Sequence, residues 1–149
     1  MRRIRYISEF AESLTPEDVD EMAAAAQANK VVVAEAFMYR HHPQTLKVKE
    51  MIDGGAIGKL LLIRGGFTFF LDRPNDVRLK PEWGGGSIWD VGCYPISFAR
   101  FIAGGEPPVE VVGWQEIGPT GVDIAFQGMM QFGNGVRALF DCGFNAALR

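Results

Sequence analysis

The sequence predicts an α+β fold: a mostly antiparallel open sheet with flanking helices, preceded by one βαβ unit left over from a doubly wound domain. Three observations predict it. A capped, apolar-striped helix lies between two short β-prone runs near the start. Strands with period-two alternation dominate from Lys59 onward, broken by one helix. Gly133-Asn134-Gly135 supplies a hairpin turn between the last two strands.

The elements follow in order. Residues 4–8 are β-prone. Thr15-Pro16-Glu17-Asp18 starts a helix: Thr15 caps, Pro16 suits the first helical position, and acids fill the first turn. Val19, Met22, Ala23 and Ala26 form an apolar stripe, and Asn29-Lys30 closes the helix. Val31-Val32-Val33-Ala34 then reads as a buried parallel strand. Such a unit needs further strands beside it, and the chain, starting at Met1, is expected to lack them.

Pro43 opens a second helix running to Asp53, stopped by Gly54-Gly55. Residues 59–71 read as a long strand with Leu61, Ile63, Phe67 and Phe69 on one face. Gly65-Gly66 within it predicts a bulge or a close approach by another backbone. Residues 72–86 form a polar loop, 87–103 a third helix, and 109–114, 124–132 and 136–142 three more strands. Residues 144–149 begin another strand.

Composition excludes several functions. The 149 residues fit one domain of ordinary size, and 48% hydrophobic content is enough for a core. A net charge of −3 gives no field to attract nucleic acid or an anionic membrane. No apolar run reaches the length of a membrane span, and the basic start lacks the apolar stretch of a signal peptide, which places the protein in the cytoplasm. Cys93 and Cys142 lack metal or disulfide spacing and read as buried free thiols. Adjacent His41 and His42 point to different faces, so no metal site is expected.

Chemistry concentrates in Trp83-Gly84-Gly85-Gly86-Ser87-Ile88-Trp89-Asp90-Val91-Gly92-Cys93-Tyr94-Pro95. Three glycines let a backbone approach a ligand closely. Asp90 and Tyr94 stand four residues apart, on one helical face, and a phenol can pass a proton to a sugar-type oxygen. Spacing alone favours another reading, in which Ser87-x-x-Asp90 is a capping box with Asp in place of Glu or Gln, and Tyr94 a half-buried aromatic. Pro95 removes a helical hydrogen bond to the Val91 carbonyl and predicts a kink there.

Gly-Gly-Gly-Ser-Ile-Trp-Asp-Val-Gly-Cys-Tyr over residues 84–94 resembles the motif of the glucose–fructose oxidoreductase/inositol dehydrogenase (Gfo/Idh/MocA) family, which carries an Asp and, four residues later, a His or Tyr at the nicotinamide. Residues 14–20, 35–43, 55–60 and 75–78 resemble further family stretches in the same order. The resemblance implies that residues 1–39 are a remnant of a nucleotide-binding (Rossmann) domain and 40–149 an incomplete C-terminal substrate and dimerisation domain. It implies NAD or NADP as cofactor and a sugar or related cyclic alcohol as substrate. Tyr94 would then transfer the proton and Asp90 orient substrate or tyrosine. Arg78 and Trp83 would face the substrate, and Glu9 and Arg40 the cofactor.

Two departures from the family bear on activity. The dinucleotide fingerprint has no counterpart, since Gly133-Asn134-Gly135-Val136-Arg137-Ala138 fits its letters but sits in a hairpin. Phe10 stands where the family uses a lysine, and a nearby ammonium is what draws a tyrosine down from its usual pKa of about 10. This chain alone is therefore expected to bind no dinucleotide. The alternative is a non-catalytic binding or dimerisation module with Phe67, Phe69, Phe70 and Trp114 at its interface. Unfinished edges predict a homo-oligomer, through the open sheet or by strand exchange.

Overall fold

The computed structural model describes residues 15–148, which fall in two compact units, one ending at Ala36 and the other beginning at Phe37. In the first unit, helix α1 spans Pro16–Ala28. Its start is the reciprocal cap that four residues encode: the Asp18 amide donates to Thr15 Oγ1 at 3.2 Å, and the Thr15 amide to Asp18 Oδ2 at 2.9 Å. Its end is a Schellman closure in which Lys30, at φ 53°, takes the left-handed position. The Lys30 amide donates to the Gln27 carbonyl and the Val31 amide to that of Ala26.

The βαβ unit is only partly realised. Residues 4–8 lie outside the described residues, and Val31-Val32-Val33-Ala34 is not a strand. A strand requires a ladder partner for its amides and carbonyls, and no described strand pairs with this one. Its valines are exposed, Val32 by 82%.

In the second unit, α2 spans Pro43–Asp53, with Pro43 at its first position and His42 Nδ1 accepting from the Gln44 amide at 3.2 Å. Strands β1 (Leu62–Thr68), β2 (Glu110–Ile117), β3 (Asp123–Gln131) and β4 (Arg137–Gly143) form one open sheet in the order β1-β4-β3-β2. β1 runs parallel to β4, and the other two pairings are antiparallel. The turn around Gly133-Asn134-Gly135 joins β3 to β4 as its composition predicts, with Gly135 at φ 84°. The strand expected over 144–149 is reduced to a single bridge, Phe70 to Asn145.

Alternation along the strands lays inward rows across the sheet: Ile63, Ala138 and Met130; Gly65, Phe140 and Gly128; Phe67, Cys142 and Phe126. The middle row is one large ring between two glycines. A Cβ on Gly128 would meet Phe140 Cζ at 2.4 Å, and one on Gly65 would meet Pro95 Cβ at 3.2 Å. Of the two readings of Gly65-Gly66, the register shows no bulge, and the close approach of helix α3 (Cys93–Ala103) is what the glycine permits. α3 brings Ala99 and Ile102 onto this face to complete the main core. Phe67 and Phe69 are partly buried against a smaller cluster of Val91, Cys142 and Phe144, whereas Phe70 and Trp114 are exposed.

Candidate active site

The glycine-rich run brings backbone against protein. The Gly85 amide donates to the Lys80 carbonyl at 3.0 Å, and the Gly86 amide to that of Arg78 at 2.9 Å. Gly86 sits at φ 126°, and a Cβ there would stand 2.3 Å from Asp123 Oδ1. The close approach these glycines allow is therefore to the loop carrying Arg78 and to a carboxylate on β3.

The expected helix over 87–103 has two parts. Ile88–Gly92 forms one π-helical turn, and α3 follows at Cys93. Pro95 has no N–H to return to Val91, so the α-ladder is interrupted at the place where the wider turn lies. The capping box at Ser87 is not formed. Ser87 has helical backbone angles, and its hydroxyl donates to Asp123 Oδ2 at 2.6 Å. The Ile88 amide donates to the same oxygen at 2.9 Å.

Asp90 instead meets Arg78, whose Nε donates to Asp90 Oδ2 at 2.8 Å. The other arm of the guanidinium donates to Asp76 Oδ1 at 3.1 Å, and that oxygen also accepts the Arg78 amide. Two carboxylates thus hold one guanidinium in a fixed plane. Their environments differ. Burial raises the Asp90 carboxyl above 3.8 despite the opposing pull of Arg78. At Asp76 burial also pushes upward, but the Arg78 amide and guanidinium, with Arg73, outweigh it and hold the group below 3.8.

Tyr94 occupies an aromatic box. Its ring centroid lies 5.5 Å from Phe37, 5.6 Å from Phe67 and 6.1 Å from Tyr39, with edge-on or tilted planes. Its hydroxyl points to Met38 Sδ at 4.0 Å. Tyr39 is held in turn by its hydroxyl, which donates to Ser97 Oγ at 2.9 Å. A shallow cavity of about 280 Å³ opens beside the box, lined by Tyr39, Phe67, Tyr94, Pro95 and Phe98 with the edge of β1.

The residues singled out from sequence are distributed as follows. Arg78 and Asp90 are brought together, with Asp90 one turn before Tyr94. Trp83 ends a short 3₁₀ turn and is 53% exposed. Arg40 donates to the Ser97 carbonyl at 3.4 Å and lies over the Phe37 and Phe101 rings. Glu9 and Phe10 lie outside the described residues. Sequence reasoning missed Asp76, although an aspartate two residues before an arginine at a turn start is a readable cap signal. It also missed Asp123 and Tyr39, whose partners are 36 and 58 residues away.

A dinucleotide needs free backbone N–H groups for its pyrophosphate. Among the described residues, α1 and α2 are capped by Thr15 and His42, and the start of the π turn is taken by Asp123. Arg40 is engaged with α3. The N–H groups so capped are not available to a pyrophosphate. No described group of three His, Cys, Asp or Glu side chains suits a metal ion, and no described helix is long and apolar enough to cross a membrane.

Residues 45–149 match the model of the GFO/IDH/MocA C-terminal domain. The chain is 34% identical over 116 residues to a D-xylose 1-dehydrogenase (NADP(+)) of Haloferax volcanii, an alignment covering 77% of this chain and 35% of that protein. It is 30% identical over 133 residues to the trans-1,2-dihydrobenzene-1,2-diol dehydrogenase of Mus musculus, covering 88% and 39%. The chain therefore spans well under half the length of these curated relatives. Among solved structures, a point mutant of a 3-ketoreductase from Actinomadura kijaniata in complex with TDP-benzene and NADP superposes with a TM-score of 0.85 at 26% identity, over 94% of this chain and 43% of that one. The aldose-aldose oxidoreductase of Caulobacter crescentus, at 22% identity and a TM-score of 0.86 over 93% and 43%, shares the fold. The strand order, the glycine-rich entry into the Asp90–Tyr94 segment and these matches agree: the chain belongs to the GFO/IDH/MocA family, and residues 45–149 are its C-terminal domain.

Proposed function

We propose that this chain supplies the substrate side of an NAD(P)-dependent oxidoreductase that interconverts an alcohol and a carbonyl on a sugar or related cyclic alcohol. The observation that carries this reading is Tyr94, a phenol set in an aromatic box at the rim of a cavity, one turn after a partly buried carboxylate paired to arginine. In oxidation, Tyr94 accepts the proton of the substrate hydroxyl; in reduction it returns it. The dinucleotide supplies the hydride acceptor or donor. Arg78, fixed in plane by Asp76 and Asp90, directs N–H groups at substrate hydroxyls, and Trp83 covers the apolar face of the ring. Residues 1–39 are assigned to the nucleotide-binding side, with Glu9 and Arg40 nearest the cofactor, and 40–149 to substrate binding and dimerisation. The setting is the cytoplasm.

Binding is tested first. Aldoses and cyclic diols titrated into ¹⁵N,¹³C-labelled chain should shift the signals of Tyr94, Arg78 and Trp83 at millimolar ligand. NADPH fluorescence should stay unchanged if the chain alone lacks the cradle. Ligand shifts scattered away from those three residues would overturn the site.

A second reading is a non-catalytic module assembling through the open sheet face. Trp114 (62% exposed) and Met129 favour it, standing over a broad depression of about 640 Å³ with Leu139 and Gln127. Sedimentation distinguishes a monomer from the expected homo-oligomer.

A further inference from the structure

The carboxylate of Asp123 lies on β3, on another element from every proposed site residue, and is 8% exposed. A buried carboxylate is costly unless its oxygens accept hydrogen bonds. Both of the bonds seen at Asp123 Oδ2 come from the residues that enter the π turn, the Ser87 hydroxyl at 2.6 Å and the Ile88 amide at 2.9 Å. Its Oδ1 lies against Gly86, where only glycine leaves room. Asp123 therefore does from across the fold what Ser87 would do in a local cap: it satisfies an orphan donor at a helical start.

The contacts continue outward from this point. Gly86, held against Asp123, donates its amide to the Arg78 carbonyl. Arg78 then donates to Asp90, two residues beyond Ile88. Ser87 is also 3.6 Å from Cys142 Sγ on β4, so the start of the turn is fixed to two strands. The phase of the turn sets where Asp90 and Tyr94 project, and a π turn flanked by Pro95 has no unbroken α-ladder to set it.

We infer that Asp123 is a positioning residue: through Ser87, Ile88 and Gly86 it sets the Arg78–Asp90 pair and the direction in which Tyr94 projects. The inference deepens the proposed oxidoreductase site and rests on that reading for its functional meaning. Its geometric content does not, because the test needs no substrate.

The test is NMR on the full chain carrying Asp123→Asn, which keeps the size and one carbonyl oxygen but removes the charge. Ser87→Ala serves as the milder variant, removing one of the two bonds. The readout is exchange of the Arg78 Nε proton with water, together with the Tyr94 ring shifts. Asp123→Asn should speed Arg78 Nε exchange tenfold or more and move the Tyr94 signals, while amide protection in β3 and β4 is retained. Ser87→Ala should do the same by a smaller factor. Unchanged Arg78 exchange and Tyr94 shifts in a folded variant would overturn the inference, as would their change only together with loss of sheet protection in Ser87→Ala. If sugars fail to bind the wild-type chain, the functional reading falls while this result stands separately.

Discussion

Gly65 on β1 and Pro95 on α3 meet where a side-chain carbon added to the glycine would stand 3.2 Å from the proline Cβ. The proline ring cannot rotate away, and its helix is fixed on the sheet by Ala99 and Ile102. Gly65→Val should therefore destabilise the second unit by about 1–3 kcal/mol, the usual cost of overpacking. Urea denaturation checks it, and a variant as stable as wild type would show that α3 can lift from β1.

Tyr94→Phe keeps the ring in its box and removes only the hydroxyl, whose described acceptor is the weak Met38 sulfur. Stability should change by roughly 1 kcal/mol or less. In the complete enzyme, kcat should fall about 10²–10⁴-fold, the range for losing a general acid–base group. Steady-state kinetics with the substrate found by titration is the measurement.

The two carboxylates at Arg78 should titrate on opposite sides of 3.8, Asp76 below and Asp90 above. Asp76, with its folded pKa depressed, contributes stability that is present above 3.8 and lost as pH falls through its folded midpoint. Asp90, with its folded pKa raised, contributes stability that is fully present below 3.8 and lost as pH rises through its folded midpoint. Arg78→Met should move both midpoints upward, since the guanidinium holds both down. Carboxyl ¹³C shifts followed over pH report each group separately.

Cys142 is 1% exposed, and burial pushes its thiol up to about 11, with Asp123 and Asp141 adding to the rise and the Ser87 hydroxyl opposing it. At pH 8 its thiolate is about one part in a thousand. A disulfide reagent should label Cys93 in the native chain and reach Cys142 only after denaturant is added. Mass mapping of the labelled peptides decides it.

Asn134 links the β3–β4 turn to the end of α3: Nδ2 donates to the Ala103 carbonyl at 2.7 Å, and Oδ1 accepts the Val136 amide at 3.1 Å. Asn134→Ala leaves a helix-terminal carbonyl and a turn amide without these partners, costing roughly 1–2 kcal/mol. Thermal unfolding should show the loss without any change in sugar binding.

What the sequence disclosed and what it hid divide along chain separation. The Thr15–Asp18 cap was legible because all of its bonds close within four residues. The hairpin at Gly133-Asn134-Gly135 and the family motif over residues 84–94 were legible for the same local reason. The Ser87-x-x-Asp90 spacing misled, because each side chain had a stronger partner elsewhere, Asp123 for the serine and Arg78 for the aspartate. Val31–Ala34 misled differently: its composition suits a buried strand, but a strand exists only with a partner. Pro95 signalled an irregularity, yet its form as a wider turn depends on contacts with β3 and β4 that no local pattern encodes.

A π turn accommodates one residue more than the α-helix it interrupts. Removing one residue between Ile88 and Gly92 would let the backbone close into regular helix with its two flanks in nearly the same relative orientation. A one-residue deletion is therefore a change this turn can absorb, whereas the same deletion within Cys93–Ala103 would rotate everything after it by about 100°.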